Sequence, residues 1–208
     1  MNNFTIVNTI RHGETDFNRQ KRYAGTIDVP LNEVGICDAI AASRRMRDIS
    51  FDVVITSMLQ RSIQTARHLL GENIDIVKTQ LCSERNYGGM QGLTEDEVKS
   101  MKPKIMYIYV GDDYHSLNPP DGESFEELRE RAEKFLRHLL NEYAHKSILV
   151  ISHGTFLQQF HGLLRGKDWV DSLSESVKNL QCHIFHLSGK DLIREECIPL
   201  VNRSQNSW

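Results

Sequence analysis

Apolar positions along the chain recur in two rhythms, period two and period three to four, and the rhythms alternate. Residues 4–10 are a β-branched run that stops at Arg11-His12-Gly13, which predicts a strand. Residues 33–47 carry Val34, Ile36, Cys37, Ile40 and Ala41 and read as a helix. Residues 52–56 read as a short buried strand. Ser57, with Gln60 three residues on, has the pattern of a capping box and predicts a helix start. A further strand is expected at 74–78, and Thr94 with Glu97 predicts a second capping box. Ser124 with Glu127 predicts a third, opening the clearest helix of the chain. Its stripe of Phe125, Leu128, Ala132, Phe135, Leu136, Leu139, Leu140 and Tyr143 falls on one helical face. A strand at 148–152, a helix from Gly154 through Leu164, and two closing strands at 181–188 and 191–198 complete the pattern. Residues 101–122, with three prolines, are the least regular and are expected to form a lid. Residues 202–208 are polar and expected to fray.

Alternating strands and helices predict an α/β fold, a three-layer sandwich with a mostly parallel central sheet flanked by helices, as one domain over 1–208. Ligands of such sheets sit beyond the carboxyl ends of the strands. Two predicted strands end in a histidine, at His12 and His153. That makes two residues far apart in sequence candidate neighbours.

Composition narrows the function classes. With 39% hydrophobic and 25% charged residues, the chain is neither disordered nor a disulfide miniprotein. A net charge of −3 gives no global pull towards nucleic acid or an acidic membrane, so an anion site must be built locally. No apolar run approaches the roughly 20 residues that span a bilayer, and the N-terminus lacks the basic start of a signal peptide. Cys37, Cys82, Cys182 and Cys197 are scattered without a C-x-x-C, which suggests buried reduced thiols in a cytoplasmic protein.

Four segments carry candidate chemistry. In Arg11-His12-Gly13-Glu14-Thr15, a histidine past a strand could attack phosphorus. Arg11 could grip phosphate oxygens, Gly13 could turn backbone N–H groups towards a ligand, and Thr15 and Asn18 could add donors. Arg61 stands in the first turn of a helix, where a cation is disfavoured unless it shares an anion with the helix end. Glu84 precedes a glycine-rich loop and could do general acid–base work. Ser152-His153-Gly154 repeats the strand-to-glycine histidine. Each segment alone also suits a satisfied strand-end histidine, a solvated arginine or a surface ion pair.

In their order these segments resemble the histidine phosphatase superfamily, the phosphoglycerate mutase-like family. Pro30-Leu31-Asn32-Glu33-Val34-Gly35 and Gly122-Glu123-Ser124 resemble further markers of it. The resemblance implies a phosphoglycerate mutase-like fold and a phosphohistidine formed on His12. It implies Arg11, Arg61 and His153 around the transferred phosphoryl, and Glu84 as proton donor and then activator of water. It extends substrate binding to Gly13, Thr15, Asn18, Gly25, Tyr87, Gly154 and Thr155. No cofactor and no metal are expected, because arginines and histidines would supply the positive charge. Among the nine histidines, His183 and His186 should point to opposite faces of a strand, and no H-E-x-x-H occurs. The expected partner is a small phosphorylated substrate, with neither nucleic acid nor membrane, and the oligomeric state stays open.

Two branches of the family remain possible. Glu84-Arg85-Asn86-Tyr87-Gly88-Gly89 is similar to the mutase form. The mutases' paired arginines are missing, with Lys102 and Lys104 in that region instead. Phe156, Met106, Tyr107 and Tyr109 would give an apolar, open rim. The balance favours a phosphatase over a mutase, with a non-catalytic phosphate-binding module as a third reading.

Overall fold

The computed structural model describes residues 4–111 and 113–201. The tail expected to fray, 202–208, lies outside the described residues, as does position 112 within the expected lid. The central sheet has six strands: β1 (Thr5–Arg11), β2 (Val53–Thr56), β3 (Val77–Lys78), β6 (Ser147–Ser152), β7 (Gln181–Ser188) and β8 (Asp191–Pro199). Their order is β3-β2-β6-β1-β7-β8. The first four run parallel to one another, and β7 and β8 close the sheet with antiparallel pairings. The mostly parallel sheet expected from the alternation is therefore present.

Helices cover both faces. On one face, α5 (Phe125–Glu142) and α6 (Gly154–Leu164) pack over Val7, Ile55, Ile148, Val150 and Phe185. On the other, α2 (Glu33–Met46) and α3 (Gln60–Leu70) pack over Ile10, Val54, Leu149, Ile151 and Cys182. Strand residues of opposite parity thus enter opposite layers. Both faces of β6 are buried, which is why Ile148 to Ile151 is uniformly apolar. Among the described residues, no helix is long and apolar enough to cross a membrane.

The capping boxes at Thr94 and Ser124 form as expected and start α4 (Glu95–Lys99) and α5. The one at Ser57 does not. α3 begins at Gln60 after Leu59, without a side-chain cap, and the Gln60 side chain donates instead to the Asp28 carbonyl. The irregular 101–122 segment holds an unexpected hairpin of β4 (Tyr107–Val110) and β5 (Asp113–Ser116). The prolines around it masked its short aromatic and β-branched strands. The strand expected at 74–78 shrinks to two residues, with Ile74 and Ile76 packed against the second core layer instead. All four cysteines are free, but Cys37 and Cys197 are exposed, so burial holds for Cys82 and Cys182 alone.

Candidate active site

Strands β2, β6 and β1 are neighbours, and their carboxyl ends bring Arg61, His153 and His12 together in that order. The His12 and His153 ring centroids lie 5.1 Å apart. His12 Nδ1 is 2.7 Å from the Gly13 carbonyl, a contact that places the proton on Nδ1 and leaves Nε2 as the ring's lone-pair nitrogen. Burial, then the Arg61 and Arg11 charges, hold the imidazole well below its ordinary pKa. A neutral ring with a free Nε2 is the form in which histidine is a nucleophile.

Arg61 is 1% exposed. Its Nε donates to His153 Nδ1 at 3.1 Å, Nη1 to the Ile27 carbonyl at 2.8 Å and Nη2 to the Gly25 carbonyl at 2.7 Å. Burial pulls it down to about 10, with Glu84 and Asp28 opposing. It stays a cation near neutrality, and each terminal nitrogen has a second N–H beyond those bonds. Arg11 Nη1 donates to the Val177 carbonyl at 2.8 Å.

The glycine after His12 works differently from expectation. The Gly13 N–H bonds to Thr65 Oγ1 at 3.0 Å, which ties the turn to α3 rather than offering the donor to a ligand. A side chain on Gly13 would come within 2.9 Å of the Gly35 carbonyl, so the residue is small to admit α2. Thr15 is fully buried and caps the short helix α1 (Asp16–Arg19) through reciprocal bonds with Asn18. Gly13 and Thr15 therefore do not line the cleft, whereas Asn18, Gly25, Tyr87, Gly154 and Thr155 do.

Glu84 reaches the same space from the loop after β3. Its Oε1 accepts the N–H of Arg85 at 2.8 Å and of Phe156 at 3.0 Å, and its Oε2 accepts the N–H of Thr155 at 3.2 Å. The carboxyl thus sits on the first turn of α6, directly after His153. Arg131 holds the loop by donating to the carbonyls of Leu81, Ser83 and Glu84 while paired with Glu123. Arg85, fully buried, bonds the carbonyls of Glu123 and Ser116 and lies 3.8 Å from the Phe125 ring centroid. Neither arginine was singled out from sequence. The signal that could have suggested Arg131 is a basic residue one helical turn from the stripe of α5.

The cleft has a volume of about 670 Å³. Arg11, His12, Arg61 and Glu84 form its floor. Tyr23, Tyr87, Tyr114 and His115 form an aromatic wall, and Lys21, Arg22 and Lys178 stand on its lining. The Tyr23 and Tyr87 rings are 5.1 Å apart, and the Tyr87 hydroxyl bonds Thr155 Oγ1 at 2.7 Å. Burial and the nearby Glu84 push the Tyr87 hydroxyl up to about 12. The hairpin supplies Asp113, Tyr114 and His115, so the segment expected as a lid does border the site. Phe156 does not form a rim: it is fully buried between Phe135 and Phe160. Lys102 and Lys104 are exposed and lie off the cleft lining. Among the described residues, no group of three or more His, Cys, Asp or Glu side chains has the geometry to hold a metal ion.

The family model of the histidine phosphatase superfamily (branch 1) matches residues 8–194. The chain belongs to that superfamily. It is 30% identical over 176 residues to a 2,3-bisphosphoglycerate-dependent phosphoglycerate mutase of Bartonella henselae, covering 81% of this chain and 85% of the relative. It is 36% identical over 202 residues to fructose-2,6-bisphosphatase TIGAR B of Danio rerio, covering 94% and 74%. Among solved structures, a putative alpha-ribazole-5'-P phosphatase of Escherichia coli superposes with a TM-score of 0.81 at 24% identity, over 98% of this chain and 99% of that one. The superfamily is thus established on sequence, and the histidine phosphatase fold on structure. Relatives of both the mutase and the phosphatase kind accompany it.

Proposed function

We propose that the protein is a metal-independent phosphomonoester hydrolase acting on small phosphorylated metabolites in the cytoplasm. His12 Nε2 attacks phosphorus, the P–O bond to the alcohol breaks, and a phosphohistidine forms. Glu84 delivers a proton to the departing alkoxide from Oε2, the oxygen with a single N–H partner. Water then attacks the phosphohistidine, gives its proton to Glu84, and releases inorganic phosphate and a neutral His12. Arg11 and Arg61 counter the charge on the equatorial oxygens. The observation that carries this reading is the convergence of a buried neutral imidazole, a buried guanidinium and a carboxyl at adjacent strand ends.

Hydrolysis is favoured over mutase chemistry by the size and lining of the cleft. A volume of about 670 Å³ leaves room for substrates larger than a three-carbon acid. The lysines nearest the mutases' carboxylate-binding region, Lys102 and Lys104, lie outside it. Mutase activity remains the second reading, because mutases are among the relatives at 30% identity. A panel of phosphorylated metabolites assayed with chelator present, beside a 2-phosphoglycerate/3-phosphoglycerate interconversion assay, decides between them. Phosphate release without interconversion is expected. Interconversion faster than release overturns the hydrolase reading.

A further inference from the structure

Ser57 is fully buried between β2 and α3, and its hydroxyl is spent on the second histidine rather than on a helix cap. Its Oγ lies 2.7 Å from His153 Nε2, 2.8 Å from Ser62 Oγ and 3.1 Å from the Leu59 nitrogen. The directions of these bonds are forced. A guanidinium donates and never accepts, so Arg61 Nε–H gives its proton to His153 Nδ1. His153 must then carry its proton on Nε2 and donate it to Ser57 Oγ. The Leu59 N–H fills the second acceptor site of that oxygen. Ser57 therefore donates to Ser62, and Ser62 donates to the Leu59 carbonyl at 2.8 Å. Every member of the chain from Arg61 to Leu59 is satisfied in one direction only.

We propose that Ser57 is a positioning residue which fixes His153 in the neutral Nε2–H tautomer and, through it, holds the Arg61 guanidinium in the cleft. His153 is fully buried and both its ring nitrogens are bonded, so its ring links Ser57 to Arg61. With Nε held by His153 and the terminal nitrogens by Gly25 and Ile27, the guanidinium plane is set before any ligand arrives. Burial and the Arg61 charge, which hold His153 well below its ordinary pKa, act in the same direction. The inference rests on the hydrolase reading for its kinetic consequence, but not for the tautomer.

The test has two arms. Nitrogen-15 NMR of the unmodified protein at pH 7, with the resonance assigned through His153→Gln, reads the tautomer directly. Expected is a neutral ring protonated on Nε2; an Nδ1–H ring or an imidazolium overturns the proposal. In the second arm, Ser57→Ala should lower kcat/KM about tenfold, because the buried His153 Nε2–H is left without its acceptor. Ser57→Thr, which keeps the hydroxyl, should recover most of it. Equal loss in both variants, or an unchanged His153 spectrum in Ser57→Ala, means Ser57 merely packs. If Ser57→Ala does not fold, the spectrum of the unmodified protein still decides. If the unmodified protein hydrolyses no phosphomonoester yet shows the Nε2–H ring, the hydrolase reading fails and the positioning of His153 stands.

Discussion

His12 and His153 face each other across a 5.1 Å centroid separation, with their ring planes at 58°, yet their nitrogens are committed in opposite senses. His12 donates from Nδ1 and leaves Nε2 free; His153 accepts at Nδ1 and donates from Nε2. One ring is available for chemistry and the other is locked into the scaffold. His12→Ala should therefore abolish turnover, whereas His153→Gln should retain a measurable fraction. Acid-labile, alkali-stable phosphate should be trapped on His12 in the native protein. Label found on a serine or cysteine would sink the covalent mechanism.

The buried histidines also set a stability profile. His12, His153 and His161 are each held well below the ordinary histidine pKa, chiefly by burial. Between their folded values and about 6.5, the unfolded chain binds more protons than the native one. Their contribution is thus complete above about pH 6.5 and is lost as pH falls below it. Each group can cost up to about 1.4 kcal/mol per pH unit in that window. His161 lies outside the cleft, bonded to Thr9 Oγ1 at 2.7 Å, with its ring 4.5 Å from His183. His161→Gln keeps a partner for Thr9 and takes up no proton. Urea unfolding at pH 7, 6 and 5.5 should show a shallower acid decline in His161→Gln, with activity largely kept. Parallel declines would mean His161 titrates normally in the native state.

Much of this was legible in the sequence, for reasons that differ by residue. The α/β alternation was readable because β6 is buried on both faces and α5 on one, which makes their periods unambiguous. His12 and His153 stood out because each ends a strand before a glycine. Ser57 was misread because a capping box is a local pattern. Its hydroxyl is captured by a histidine 96 positions away, which no local spacing reports. Gly13 and Thr15 were misplaced for a related reason. Thr65 Oγ1 accepts the Gly13 N–H, and Asn18 Oδ1 accepts both the N–H and the hydroxyl of Thr15, so these donors are already spent within the protein. The aromatic wall of Tyr23, Tyr87 and Tyr114 draws on three separated segments, so it appears only when the chain is folded.

Gly154 starts α6 against Arg11. A Cβ there would sit 3.2 Å from Arg11 Cζ and 3.4 Å from its Nε. Helix propensity favours alanine over glycine by roughly 1 kcal/mol, so Gly154→Ala should not unfold the protein. Displacing Arg11 by even a fraction of an ångström should nevertheless lower kcat/KM roughly 10- to 100-fold. Melting temperature and kinetics measured on one preparation separate the two effects. Unchanged kinetics would remove Arg11 from the phosphoryl pocket.

Positive charge beside His12 comes from Arg11 and Arg61, with Lys21, Arg22 and Lys178 further along the cleft lining. Activity should accordingly survive prolonged dialysis against EDTA, and vanadate should inhibit competitively. An activity lost on chelation and restored by a divalent cation would require a different account of phosphoryl charge stabilisation.

Glu84 offers the sharpest separation of proton transfer from binding. Its Oε1 takes two N–H bonds and its Oε2 one, which leaves Oε2 as the edge for a proton. Removing an acid matters most where the leaving alcohol is a poor leaving group. Glu84→Gln keeps an oxygen for some of these N–H groups and loses the transferable proton. It should lose about a hundredfold or more on a sugar phosphate, the usual size of a general-acid effect. On p-nitrophenyl phosphate, whose phenolate departs unaided, the loss should be much smaller. Water activation by Glu84 is lost as well, so the phosphohistidine should form faster than it decays. A burst of p-nitrophenol followed by a slow steady state is the expected trace. Equal slowing of both substrates without a burst would reduce Glu84 to an anchor for α6. The proton would then have to come from a cleft acid outside that loop, such as Glu95 or Asp113.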